Sequence, residues 1–258
     1  MPRDSTKRFS DRVDDYVKYR PTYPTEVLQA LRSDFGLKPE HAVVDVGSGT
    51  GISAEIFLRN GNTVYAIEPN SPMRLAAEKN LSRYPKFHSI TGTAEKTGLN
   101  ADFADFVVAA QAFHWFTPET TKSEFKRILK ENGCAVILFN NRKTTGSEFA
   151  VQYENLLNEF GTDYKEVKHQ NIDEKKIRDF LGDFTGYSFP NVQVFDFAAF
   201  LGRLRSSSYC PKEDHPRYNE MLEKIKDIFR LNQKDGLVSM EYTTQLFCSR
   251  LKLHSPGI

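Results

Sequence analysis

The sequence predicts an α/β fold built on a doubly wound parallel sheet, and three observations carry that reading. Between residues 43 and 139, five short runs of strand-like residues alternate with helical patterns; this is the rhythm of a parallel sheet with helices on both faces. The first run, Val43-Val44-Asp45-Val46, passes into three glycines at alternate positions, Gly47, Gly49 and Gly51, and then into a helical pattern from Ile52. The fifth, Cys134 to Phe139, is almost continuously apolar, as a strand covered on both faces should be.

Composition narrows the function. A chain of 258 residues can bury a large core, and 35 Lys and Arg against 34 Asp and Glu give no general attraction to nucleic acid or to a membrane surface. The three cysteines, Cys134, Cys210 and Cys248, stand far apart and form no C-x-x-C, which points to a reducing compartment and away from a thiolate metal site. The first residues are polar with no apolar signal region, and no run reaches the length of a membrane span. The expectation is a soluble cytoplasmic protein whose substrate is not a macromolecular polyanion, with no metal. Monomer and homodimer are not distinguished.

Taken in order, residues 1–40 read as a helical lid. Phe9, Val13, Tyr16 and Val17 fall at helical spacing, the prolines at 21 and 24 force an extended link, and Val27, Leu28, Leu31 and Phe35 mark a second helix stopped by Gly36. This segment is either an amphipathic flap over the sheet or a lid in which Tyr16, Arg20 and Tyr23 face the glycine turn. An aromatic face suits a cation and an arginine suits a carboxylate.

The core follows over 41–146. In the turn Asp45-Val46-Gly47-Ser48-Gly49-Thr50-Gly51, glycines let the backbone approach a ligand, and free N–H groups face it from the helix start. Gly51 stands one residue early for G-x-G-x-x-G, and no lysine follows it, so neither a dinucleotide nor a nucleoside triphosphate suits the loop. The second strand, Thr63 to Ile67, ends at Glu68-Pro69-Asn70. An acid there, about 20 residues on, is placed to accept hydrogen bonds from a ribose diol. Ser71-Pro72 starts a helix whose Met73 can pack on a purine or in the core. A third strand over Phe87 to Ile90 leads to Thr93-Ala94-Glu95, and a fourth over 102–110 leads to Gln111-Ala112-Phe113-His114-Trp115-Phe116. His114 follows a strand's carboxyl end, where such sheets hold ligands; it is either a base or a packing residue. A helix from Thr117-Pro118 to Asn132-Gly133 precedes the fifth strand.

Beyond residue 146 the rhythm breaks. Residues 147–183 read as a helical cap, with Phe149, Tyr153, Leu156, Leu157 and Phe160 on one helix face. Residues 184–258 hold two last strands, Val192 to Phe197 and Val238 to Leu251, with a helical insertion at about 198–235. Arg203, Arg205 and Tyr209 are the insertion's polar contributors; Tyr23, Arg203 and Tyr209 are the candidate substrate residues.

Asp-x-Gly-x-Gly-x-Gly at 45–51 resembles the first motif of class I S-adenosylmethionine-dependent methyltransferases. Ala-Gln-Ala-Phe-His-Trp-Phe at 110–116, together with Tyr-x-x-x-Arg-Pro-x-Tyr-Pro at 16–24, is similar to the type 11 small-molecule group, including trans-aconitate methyltransferase-like proteins. The resemblance covers the core through about residue 140 and runs loosely to the C-terminus. It implies a Rossmann-like sheet, mostly parallel with an antiparallel C-terminal strand, carrying helical cap insertions. It also implies S-adenosylmethionine as cofactor and S-adenosylhomocysteine as product. The cofactor set is then Tyr16, Arg20, Asp45, Gly47, Ser48, Gly49, Gly51, Glu68, Pro69, Met73, Thr93, Ala94, Glu95 and Gln111, with His114, Trp115 and Arg20 around the reacting groups. Thr93 stands where the family has an aspartate for the adenine amino group, which shifts that contact toward the Ala94 backbone or Glu95. The missing [DNS]-P-P-[YF] after the fourth strand argues against adenine or glutamine amino groups. The expected reaction is direct in-line methyl transfer to oxygen, carboxylate first, or to nitrogen; a nicotinamide oxidoreductase and a non-catalytic S-adenosylmethionine-binding protein are the alternatives.

Overall fold

A computed structural model describes residues 12–167 and 174–252. The strands are β1 (Ala42–Val46), β2 (Thr63–Ile67), β3 (Phe87–Ile90), β4 (Ala104–Ala110), β5 (Leu129–Arg142), β6 (Thr185–Phe195) and β7 (Val238–Ser249). They form one sheet in the order β3-β2-β1-β4-β5-β7-β6. The first five run parallel, and β7 enters antiparallel between β5 and β6. The order reverses at β1, so a crevice opens between β1 and β4 at their carboxyl ends.

The helices fall into three groups. On one face α2 (Glu26–Phe35), α3 (Ile52–Arg59) and α4 (Ser71–Leu81) bury Val27, Leu31, Phe57 and Leu81 against Val43, Val64, Phe106 and Val136. On the other, α5 (Pro118–Ile128) and α8 (Glu174–Leu181) bury Phe125, Ile128, Ile177 and Phe180 against Val44, Val107 and Ile137. Alternate residues of each strand thus feed two separate cores. The third group, α6 (Glu148–Phe160), α9 (Phe197–Arg205) and α10 (Tyr218–Asn232), builds its own core from Tyr153, Leu157, Phe200, Met221 and Ile225. α1 (Val13–Tyr19) and the short α7 (Tyr164–Val167) complete the described helices.

Strand register explains where the third group sits. β5 pairs with β7 from Ala135↔Ser249 to Arg142↔Tyr242, whereas β6 and β7 stay paired to Phe195↔Val238. The four residues of β7 before Tyr242 therefore carry the ribbon about 13 Å past the last β5 pair. That extension, through Phe195, Val238 and Met240, is the platform on which α6, α9 and α10 pack.

Several boundaries differ from expectation. Phe9, read as the start of the first helix, lies outside the described residues. α5 ends at Ile128 rather than Asn132, because Leu129 to Gly133 are already drawn into the β5 ladder, which pairs Ala104 with Leu129. β6 begins at Thr185, not Val192. Pro190 and Gly186 mask it in the sequence, and an edge strand tolerates a proline whose missing N–H costs no ladder bond. The segment 147–183 divides: α6 belongs to the cap, whereas α8 lies on the sheet flank. Its Phe180 ring meets Phe113 and Phe125 at centroid separations of 4.8 and 5.6 Å. A strongly amphipathic helix with Ile177, Phe180 and Leu181 on one side takes whatever apolar flank is nearest, here the one beside α5.

Candidate active site

The glycine turn follows from three different local demands. Gly47, Gly49 and Gly51 all have left-handed backbone, with φ of 66°, 57° and 84°. A Cβ on Gly47 would lie 2.7 Å from Ala112 Cβ, and one on Gly51 would lie 2.5 Å from Leu81 Cδ1. Those two glycines let β1 and α3 close on their neighbours. Gly49 has only Met73 Cε nearby, at 3.4 Å, so its freedom serves the space above the turn.

That space is a cavity of about 330 Å³ at the switch point of the sheet. Tyr16, Arg20, Tyr23, Gly47, Ser48, Gly49, Glu68, Pro69, Met73, Thr93, Ala94, Glu95, Gln111, His114, Trp115, Arg203 and Tyr209 all line it. Side chains from α1, the strand-end loops and the cap therefore converge on the turn. Two expected residues do not reach its wall. Gly51 is the N-cap of α3 and is filled from behind by Leu81. Asp45 lies beneath the turn, fully buried, where Oδ2 accepts from Ser53 Oγ at 2.7 Å. Both are corrected from contact residues to supports of the loop. The physical reason is the pleat: Asp45 belongs to the strand and points under the glycines, not over them.

Burial raises the Asp45 carboxyl to about 7, against the opposing hydrogen bond from Ser53 and helped by nearby Glu68. The folded chain then binds a proton more tightly than the unfolded one does. Stability held below pH 4 is lost as pH rises toward 7, with a slope of up to about 1.4 kcal/mol per pH unit. Asp45→Asn is expected to flatten this part of the profile, as checked by urea unfolding of the ligand-free chain at pH 5, 6 and 7.

Glu68 stands at the end of β2 and is buried. Its Oε2 accepts from Gly49 N and its Oε1 from Asn70 N, each at 2.8 Å, which fixes the carboxylate above the turn with a lone pair left on each oxygen. Burial raises its pKa, against those two backbone donors. Asn70 also caps α4, accepting from Met73 N at 3.0 Å, so the strand end, the acid and the methionine are set by one turn. Glu95 has a second duty: its Oε1 accepts from Thr117 N at 3.0 Å and so caps the start of α5. Gln111 takes a left-handed conformation at φ 55°, a strained choice for a side-chain-bearing residue. Its Nε2 donates to Asn140 O at 3.0 Å, while Oε1 is buried on the cavity wall with no hydrogen-bond partner.

Over the turn, the Arg20 guanidinium sits 4.7 Å from the Tyr16 ring centroid, and Nη2 donates to Ser206 O at 2.7 Å. Its Nε is buried without a partner, and burial together with Arg203 lowers its pKa. Arg203, itself buried, donates from Nε to Tyr242 Oη at 3.2 Å and from Nη1 to Ser207 Oγ at 3.1 Å. Neither guanidinium has an acid as a partner among the described residues. His114 and Trp115 lie in a single 3₁₀ turn, ring centroids 4.4 Å apart. Arg205, the third expected cap residue, turns away and donates from Nε to Tyr218 Oη.

The sequence reading missed Arg142, Tyr164 and Tyr242. Arg142 ends β5 and pairs with Glu154 at 2.6 Å, and Tyr164 Oη donates to the same Glu154 oxygen at 2.7 Å. The signal for Arg142 was present: a polar residue just past an apolar parallel strand lies at the ligand end of the sheet. Tyr242 was read only as one of the inward residues of an alternating strand.

The wall also suits S-adenosylmethionine on its own terms. Ser48 Oγ, Thr50 Oγ1, Gln111 Oε1 and Arg20 Nε are buried polar atoms on it that lack a partner, and such groups need one from a ligand. Residues 44–137 match a family model described as a methyltransferase domain. An uncharacterised methyltransferase-like protein of Schizosaccharomyces pombe is 29% identical, over 94% of this chain and 95% of its own. These matches support a class I S-adenosylmethionine-dependent methyltransferase. An uncharacterised methyltransferase of Mycobacterium tuberculosis is 31% identical over 54% of this chain and 55% of its own length. Among solved structures, a candidate type II methyltransferase from Anaeromyxobacter dehalogenans superposes with TM-score 0.65 at 17% identity, covering 92% of this chain and 100% of that one. That likeness is one of fold, and it includes the sheet. The family is one that uses S-adenosylmethionine, and the oxidoreductase alternative loses its ground.

Proposed function

We propose that this methyltransferase transfers the methyl group of S-adenosylmethionine to a small-molecule acceptor, to oxygen with carboxylates first, or to nitrogen. The observation that carries the acceptor class is the buried pair Arg20 and Arg203. Two guanidiniums facing one cavity without an acid are costly unless a bound anion compensates them. The cofactor's own carboxylate suits Arg20, at the glycine-turn side. Arg203, on the cap side, is left for an anion of the acceptor.

When bound, the cofactor supplies an electrophilic methyl carbon on a sulfonium. The chain's residues then have three tasks. Glu68 holds the ribose, Met73 and Ala94 flank the purine, and Ser48 and Thr50 donate or accept at the turn. Tyr16, with α1 behind it, keeps water from the sulfonium side. Arg203, Tyr209 and Tyr23 orient the acceptor so that its nucleophilic atom lies in line with the methyl group. A carboxylate acceptor is already ionised and needs no base, whereas a hydroxyl or amine gives its proton to His114. A cavity roofed by α1 and the cap supports a small acceptor over a polymer, and near-neutral charge supports neither nucleic acid nor membrane as partner. Three buried free cysteines support a reducing, cytoplasmic setting. No helix among the described residues is long and apolar enough to cross a membrane.

The test is transfer of labelled methyl to panels of small carboxylic acids, phenols and amines, after calorimetry with S-adenosylhomocysteine. Incorporation led by the acids supports the proposal; turnover confined to amines or phenols removes the carboxylate preference. His114→Ala is expected to slow a phenol or amine acceptor by about 100-fold or more while leaving kcat for a carboxylate within a few-fold. Equal effects on both classes would take the base role from His114.

A further inference from the structure

Arg12 lies outside the cavity, yet it joins the two halves of the cavity's roof. It is the N-cap of α1, and its Nη1 donates to Arg205 O at 2.8 Å and Ser207 O at 2.9 Å, while Nη2 donates to Cys210 O at 2.7 Å. These carbonyls lie at and just beyond the C-terminal end of α9, where helix carbonyls lack partners and the dipole is negative. Arg20, at the other end of α1, donates to Ser206 O in the same loop. Between them Tyr19 lies so close on α9 that a Cβ on Gly202 would come within 2.0 Å of its ring.

Spacing gives this clasp its consequence. Arg12, Tyr16 and Arg20 are four residues apart, linked by Tyr16 N to Arg12 O and Arg20 N to Tyr16 O bonds of 2.9 and 3.2 Å, so they share one stripe of α1. Tyr16 and Arg20 line the cavity from that stripe. The clasped loop lines it too, through Ser208 and Tyr209, and its Ser206 and Ser207 hydroxyls accept from Arg203. One face of the 206–210 loop therefore holds the lid, and the other face helps form the acceptor end.

We propose that Arg12 is a positioning residue: it locks α1 to the α9 loop so that the lid residues Tyr16 and Arg20 close over the cofactor as part of the same unit that carries Arg203. Cofactor and product leave only when this clasp opens. The proposal rests on the methyltransferase reading.

Trp115 is the chain's single tryptophan and lines the cavity, so its fluorescence reports S-adenosylhomocysteine release in a stopped-flow chase. Arg12→Ala is expected to speed release on the order of tenfold or more, through loss of three charge-assisted hydrogen bonds. Arg12→Lys, which keeps charge but not the fork, should fall between the two. Gly202→Ala, which pushes Tyr19 off α9, should speed release without touching Arg12 and covers the case of a poorly folded Arg12→Ala. Hydrogen exchange of the ligand-free chain should show α1 amides losing protection in Arg12→Ala and Gly202→Ala, with β1 and β4 unchanged. Wild-type release rates in both variants would overturn the clasp. A wild-type chain that gives no response to millimolar S-adenosylhomocysteine would instead overturn the cofactor reading, and with it the role assigned to Arg12.

Discussion

Gly49→Val is expected to abolish measurable S-adenosylhomocysteine binding while the chain stays folded. At φ 57° a β-branched residue pays a strain of about 1–3 kcal/mol, which a domain of this size tolerates. The Cβ itself meets only Met73 Cε, at 3.4 Å, in ordinary contact. The two γ-methyls, however, extend into the cavity over the turn, and the Gly49 N–H that anchors Glu68 Oε2 is tilted with them. Ligand space and the ribose acid are therefore lost together, so a drop of at least about 100-fold in affinity is expected, equivalent to some 2.7 kcal/mol. Gly51→Val supplies the contrast. Its side chain would run into Leu81 at the back of the loop, so stability should fall first and binding only as a consequence. Calorimetry and urea unfolding on both variants separate the two glycines; retained affinity in folded Gly49→Val would remove the turn from the cofactor site.

The difference between those glycines is one the sequence does not contain. Alternate glycines after an apolar run announce a turn that approaches something, but Ala112, Leu81 and Met73, the three things approached, come from other elements. Much of the remaining site was legible because a parallel sheet puts its ligands at strand ends: Glu68 after β2, Thr93 to Glu95 after β3 and Gln111 to Trp115 after β4 could be read off as successive strand termini. Arg142 after β5 obeys the same rule, but the apolar run that marks the strand stops at Phe139, three residues before the strand does. Asp45 was misplaced for a related reason. It shares the motif with the glycines, but its side chain follows the strand's pleat and points beneath them.

The cap was less legible because its geometry comes from pairing at long range. Amphipathic patterns located α6, α9 and α10, yet the same kind of pattern in α8 led to the sheet flank. What distinguishes them is the β6–β7 ribbon rising beyond β5, and β6 was hidden by Pro190. Only the paired ribbon shows that α9 projects Arg203 inward, where its partners are Tyr242 of β7 and the serines after the helix, while Arg205, two residues on, faces Tyr218.

Arg203→Met puts that inward placement to its strongest test, since a structural role and an anion-holding role predict opposite outcomes for stability. Were Arg203 a structural strut, its loss would remove hydrogen bonds to Tyr242 and Ser207 and destabilise the fold. As a buried guanidinium beside Arg20 with no acidic partner, it should instead be a liability of the ligand-free chain, and an apolar side chain of similar length should leave stability unchanged or raise it by about 1 kcal/mol. Tyr242 Oη keeps its bond to Gln193 Oε1 at 2.8 Å, so little is stranded by the change. The loss should appear in catalysis. For a carboxylate acceptor KM is expected to rise about 100-fold, since a hydrogen bond to a charged group in a desolvated site is worth about 1.5–3 kcal/mol. S-adenosylhomocysteine affinity should move by less than about threefold, because its carboxylate is assigned to Arg20. Arg203→Lys should recover part of KM, having the charge without the planar fork. Urea unfolding, calorimetry and acceptor kinetics on the two variants give three independent numbers. A stable Arg203→Met chain with unchanged KM would leave the acceptor's anion to Arg142, the remaining guanidinium on the cavity wall, already neutralised by Glu154.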